Sequence, residues 1–379
     1  MSLAASLIPR SLQPIYEKVL QNERLSAADG IQLLESNDLF ALGVIADEAR
    51  RRRVGDYVYF NNNAHINYSN VCALWNVCKF CAFGKQNRID PAGYTYNIEQ
   101  MVEKAKAYAR MGVTEFHMVG GLHPDMPFSY YTDFLSAIKQ AVPQAHLKCF
   151  TAVEIDFFAK KFRMPVEEVL LRLREAGHGS MTGGGAEMFH PEVHNVLCKG
   201  KMSGERYLEI HRIAHGLGVR TTCTMLYGHI EKPYHVVDHM LRLRELQDET
   251  GGESAFIPLA FHPTNTDLAH LPGPTGAYDL KIVAVARLLL DNIKAIKSYW
   301  VMISPRIAQI SLQFGANDID GTVREEKIYH FAGATTPMLQ EQNDLLRLIR
   351  EAGRIPAERD TLYNVLKVYD SVPVEATTA

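Results

Sequence analysis

Strand-like and helix-like segments alternate along most of this chain, and that alternation limits the fold more than any other feature. Asn97 to Met111 sets the pattern: Ile98, Met101, Val102, Ala105, Tyr108 and Ala109 recur at helical spacing. Gly112 ends that helix, and Val113 to Val119 follows as a strand. The same reading predicts further strands at His146–Val153, Val219–Leu226, Ala255–Phe261 and Tyr299–Ile303. Helices are predicted at Val166–Ala176, Gly204–Leu217, Tyr234–Thr250 and Asp279–Lys297. Repeated β-α units imply a parallel sheet with right-handed crossovers. With roughly six to eight such units, the α/β chain is expected to curl into a full or partial (β/α) TIM-type barrel, with its chemistry at the C-terminal strand ends.

Residues 1–55 read as a helical N-terminal extension, with Ser26 and Ser36 or Asn37 as candidate N-caps. Residues 56–369 hold the barrel and its C-terminal elements. Within them Asp318-Ile319-Asp320-Gly321 reads as a loop, and 370–379 reads as a mobile tail. The 379 residues are 47% hydrophobic, enough for a large core. A net charge of -3 gives no general electrostatic case for nucleic acid. Arg50 to Arg53 reads as a solvated helix end. Neither a signal peptide nor a membrane span is expected, and the sparse, unevenly spaced cysteines fit a reducing cytoplasm.

Three of the six cysteines, Cys72, Cys78 and Cys81, fall within ten residues. Clustered cysteines in a disulfide-poor chain point to a metal, and thiolates suit iron. Three ligands leave one iron of a four-iron cluster open to a small molecule. The bland alternative is a buried cysteine pair with an incidental neighbour. Cys149, Cys198 and Cys223 read as packing residues. Trp75, inside the loop, either covers the site or packs.

The loop resembles the radical S-adenosylmethionine (SAM) superfamily, whose signature is C-x3-C-x2-C with an aromatic residue before the third Cys. Phe80 fills the aromatic place and Cys78-x2-Cys81 keeps the second spacing, while Cys72-x5-Cys78 is two residues longer than usual. Asn67 to Cys72, Val119 to Pro124 and Gly183 to Glu187 are similar to the menaquinone and deazaflavin branch. Met225 to Glu231 and Phe256 to Pro263 are similar to branch members that add the 5′-deoxyadenosyl radical to 3-[(1-carboxyvinyl)oxy]benzoate. A cyclising relative that abstracts hydrogen shares several of these segments. The Leu259-Ala260-Phe261-His262-Pro263 stretch favours the adding members. A non-catalytic iron–sulfur scaffold rests only on the two extra loop residues.

The resemblance implies a [4Fe-4S] cluster on Cys72, Cys78 and Cys81, and SAM as cosubstrate. It places Phe80, Gly120, Gly121, Glu187 and Tyr227 at the cofactor. The small-molecule substrate would be held by Asn67, His262, Asn265 and Arg306, with Thr264 nearby, since a dicarboxylate needs charged or hydrogen-bonding partners. His65, His229 and Glu231 are the catalytic candidates. An electron donor such as flavodoxin or ferredoxin is the implied partner. His211 with His215, and His235 with His239, are four apart on helices expected to lie outside the barrel. They read as solvated or capping residues rather than zinc ligands.

Overall fold

The computed structural model describes residues 8–86 and 90–369; the expected tail at 370–379 lies outside the described residues. Among the described residues three helices lead in: α1 (Gln13–Leu20), α2 (Ala27–Glu35) and α3 (Leu39–Val54). Ser26 caps α2 in a reciprocal box with Asp29. The chain then runs β1 (Tyr57–Asn61), β2 (Asn63–His65), α4 (Ile98–Arg110), β3 (Glu115–Met118), α5 (Phe128–Ala141), β4 (His146–Cys149) and α6 (Ala152–Phe162). Next come α7 (Val166–Glu175), α8 (Pro191–Cys198), α9 (Gly204–Gly216), β5 (Thr221–Tyr227), α10 (Pro233–Thr250), β6 (Glu253–Ala260) and α11 (Gly276–Leu289). The remainder is β7 (Ala295–Ile296), α12 (Trp300–Ser311), β8 (Asp318–Gly321), α13 (Ile328–Phe331), α14 (Gln342–Glu351), β9 (Ile355–Arg359) and β10 (Val365–Val368).

The strands close into a ring. β2, β3 and β4 pair in parallel. Segment 179–182 joins β4 to β5 through the Lys148–Ser180 bridge and the Met181 N–H to Arg220 carbonyl bond. β5, β6 and β7 pair in parallel. Lys297 bridges to Asp318, and β8 pairs with β1. β9 lies on the other side of β1, and β10 folds back on it antiparallel. The barrel is therefore complete. The lead-in helices share its core, and α2 packs so closely that a Cβ on Gly30 would sit 2.9 Å from Leu289.

Four predicted segments need correction. The helix expected to reach Lys297 stops at Leu289, and the next strand is Ala295–Ile296. Tyr299–Ile303, expected as a strand, opens α12. A short buried apolar run looks the same in either state, and here Trp300 is locked by its indole N–H to the Gly321 carbonyl. The strand expected to reach Val153 ends at Cys149, because Phe150 takes φ +59° and Thr151 caps α6 with Glu154. Asp318 to Gly321, expected as a loop, is strand β8, whose acids meet interior cations. Arg50 is also corrected: it is fully buried and paired with Asp47 and Asp56, not solvated.

Candidate active site

The three clustered cysteines stand beyond the end of β2, on a loop that coils on itself. Trp75 N–H donates to the Cys72 carbonyl, Val77 N–H to Leu74 and Cys81 N–H to Cys78. This coil absorbs the long first spacing. Ala73 N–H and Lys79 N–H tie the loop to Leu122 and Leu197. All three cysteines line one cavity, and none is in a disulfide. Burial pushes the Cys72 and Cys78 thiols up. Desolvated thiols facing a common space suit a bound cationic metal centre, which stabilises their thiolates. Trp75 is exposed and sits with Cys81 on a shallow groove outside the cavity.

Gly120 and Gly121 line the same cavity. Their smallness serves the loop itself: a Cβ on Gly121 would lie 2.3 Å from the Val71 carbonyl oxygen, and one on Gly120 would lie 2.7 Å from the Tyr68 ring. The turn is therefore pressed against the start of the cysteine loop. Glu154 braces it, accepting from Gly120 N–H at 3.1 Å, Tyr68 hydroxyl at 2.5 Å and Thr151 N–H at 2.7 Å. Burial pushes Glu154 up to about 7 despite these bonds. Glu187 also lines the cavity, with φ +50°, and forms a buried ion pair with Lys201. The Lys201 ammonium lies 5.3 Å over the Phe80 ring.

Below this mouth the barrel interior is charged. Lys148 of β4, Lys297 after β7 and Asp320 of β8 line the cavity, as do His65 and His117. Lys297 bonds Asp320 at 3.1 Å. Burial, with Lys297 nearby, pushes Lys148 down to about 8. Burial would raise Glu115, but Lys148, Lys297 and Arg359 outweigh it and hold it at about 2. Deeper still, Arg359 pairs with Asp318 at 2.7 Å, which closes the barrel floor. The cavity is open at its mouth and runs down to Lys148, Lys297 and Asp320.

Cys72, Cys78, Cys81, Phe80, Gly120, Gly121, Glu187 and His65 thus converge on one cavity. Other candidates do not. Tyr227 points outward, its hydroxyl donating to Asp279 at 2.8 Å. His229 and Glu231 bond each other and the surrounding loop: Glu231 accepts from Gly228 N–H, His229 N–H and the Tyr278 hydroxyl. Asn67 donates to the Val119 carbonyl and fastens the Gly-Gly turn. His262 bonds the Met302 carbonyl, and Asn265 is exposed and donates to Phe331. Arg306 lies exposed on α12 rather than directly after a strand, and it does not line the cavity. The helix histidines are buried or half-buried, not solvated: His211 meets Glu253, His239 meets Phe189 and Thr224, and His235 caps Lys232.

A model of the radical SAM superfamily matches residues 66–243, and one of the CofH/MqnC C-terminal region matches 250–372. The chain is 45% identical over 366 residues to aminodeoxyfutalosine synthase of Thermus thermophilus, covering 95% of this chain and 97% of that one. It is 46% identical to aminodeoxyfutalosine synthase of Streptomyces coelicolor, covering 94% of each. The chain belongs to the radical SAM superfamily. Cyclic dehypoxanthine futalosine synthase of S. coelicolor is 36% identical, over 95% of this chain and 90% of that one. The fold matches the FeFe-hydrogenase maturase HydG of Carboxydothermus hydrogenoformans, with TM-score 0.73 at 17% identity over 93% of this chain and 80% of that one. Membership in the radical SAM superfamily implies an iron–sulfur cluster and SAM. Among the described residues no helix is long and apolar enough to cross a membrane.

Proposed function

We propose that this chain catalyses the aminodeoxyfutalosine synthase reaction of menaquinone biosynthesis. The adenosyl 5′ carbon is joined to the enol-ether double bond of 3-[(1-carboxyvinyl)oxy]benzoate. Aryl migration and decarboxylation then give 6-amino-6-deoxyfutalosine. One observation carries the reading: identity to two synthases is 45% and 46% across nearly the whole chain, against 36% to the cyclising relative.

Cys72, Cys78 and Cys81 would hold a [4Fe-4S] cluster. When bound, the cluster supplies the electron that splits the carbon–sulfur bond of SAM and frees the 5′-deoxyadenosyl radical. The chain's own residues position and protect. The Gly120-Gly121 turn, braced by Glu154, and the Glu187–Lys201 pair border the SAM space beside Phe80. Buried apolar walls keep water from the radical, and His65 lines the barrel interior below the mouth. A one-electron donor of the flavodoxin or ferredoxin type is the expected partner.

The test is an anaerobic incubation of the reconstituted protein with SAM, a reductant and either the carboxyvinyl ether or dehypoxanthine futalosine. Consumption of the ether alone, with one methionine per product, is expected. Consumption of dehypoxanthine futalosine instead would assign the cyclising reaction.

A further inference from the structure

We propose that Lys148 is the seat of the substrate's ring carboxylate, and that this ammonium makes the enzyme choose a benzoate over an uncharged arene. The inference rests on the synthase reading above. Lys148 lies within β4, below the strand ends, and is only 3% exposed while lining the cavity. The other interior cations have fixed partners: Lys297 holds Asp320 and Arg359 holds Asp318. Among the described residues Lys148 has no carboxylate within 4.0 Å, and no hydrogen bond of its ammonium is seen. Glu115 and Asp320 offset its charge only from a distance, and a buried ammonium whose N–H donors have no partner is costly, so one that faces a cavity suits an anion in contact with it.

The surroundings suit an aryl carboxylate. His65 and His117 stack at 4.5 Å with an 11° interplanar angle, and both border the cavity. Burial pushes both imidazoles down, so they present flat neutral rings rather than competing cations. The Nδ1 atom of His65 is buried without a partner, leaving one polar site for a ligand. Glu115, the acid of the neighbouring strand, is engaged by the Asn61 amide at 2.9 Å, and Asp320 by Lys297.

Position decides which carboxylate goes there. The reacting double bond must meet the adenosyl carbon at the mouth, beside the cysteine loop. The enolpyruvyl carboxylate is attached at that double bond and stays with it. The ring carboxylate stands across the arene, and it is the end that reaches down to β4.

The experiment is calorimetric titration of the reconstituted enzyme with two saturated, unreactive ethers: 3-(1-carboxyethoxy)benzoate, and 2-phenoxypropanoate, which lacks the ring carboxylate. A charge-assisted hydrogen bond predicts that wild type binds the first roughly 10–100-fold tighter. In Lys148→Met that ratio should fall to about twofold or less. A ratio that survives in Lys148→Met overturns the proposal, as does equal weakening of both ligands, which marks a structural lysine. The wild-type ratio is decisive even if the variant does not fold, because a wild type that binds both ethers alike overturns the seat directly. Wild-type enzyme that makes product from the vinyl ether yet shows no ratio sinks the seat alone. Wild-type enzyme that makes no product from it sinks the synthase reading and this inference together.

Discussion

The mouth of this barrel and its interior are made from different chemistry. The mouth is loop-built, from cysteines on a coiled segment and glycines that let backbones touch. The interior is strand-built, from Glu115, Lys148, Asp318 and Asp320 inside β3, β4 and β8, with Arg359 from β9. Catalytic groups that bind a cofactor need close backbone approach, which loops can supply. Groups that fix a substrate need rigidity, which strands supply better. One cavity thus joins a loop-built end that lets backbones touch to a strand-built end lined by charged side chains.

The largest effect should come from the mouth. Cys72→Ala, Cys78→Ala and Cys81→Ala should each lose the cluster and all SAM cleavage, read by iron content and electron paramagnetic resonance after anaerobic reconstitution. A normal cluster in Cys72→Ala would show that Cys72 is not a ligand. The floor should answer differently. Arg359→Met leaves Asp318 buried without its cation, which costs about 3–5 kcal/mol of stability by denaturant unfolding. Its remaining folded fraction should still bind iron, because the cysteine loop is anchored to Leu122 and Leu197 at the other end.

A smaller effect concerns the brace between the two. Glu154, raised to about 7, holds a proton that the unfolded chain releases near 4.5. The folded state therefore binds more protons between those values, and its stability falls as pH rises through that window. Glu154→Gln should flatten that part of the unloaded protein's stability curve, and an unchanged slope would show that another group is responsible. The smallest effect is at Arg306. It is exposed and outside the cavity, so Arg306→Ala should leave substrate KM unaltered and stability within about 0.5 kcal/mol.

The mouth was legible in the sequence and the interior was not. Three cysteines within ten residues, a Gly-Gly after a strand and a helix pattern such as Ile98 to Arg110 each carry a local signal. Lys148 carries none by itself: in His146-Leu147-Lys148-Cys149 it alternates like a solvent-facing residue. Only closure of the barrel turns that face inward. The usable signal was a lone lysine inside a strand expected to be buried on both faces, which demands an interior partner. Arg306 failed for a related reason. Tyr299 to Ile303 has strand composition but helical packing, and the error shifted β7 and everything argued from its end. Tyr227, His229 and Glu231 follow the right strand, but their side chains satisfy one another and Asp279 rather than a ligand.

In the proposed reaction the mouth frees the adenosyl radical within reach of a double bond held from below, so that the radical adds instead of taking hydrogen. Turnover with SAM labelled in its adenosyl group tests this most directly. Label is expected in an adenine nucleoside that carries the benzoate, with methionine formed in equal amount. Labelled 5′-deoxyadenosine as the stoichiometric product, with the carboxyvinyl ether present, would contradict it.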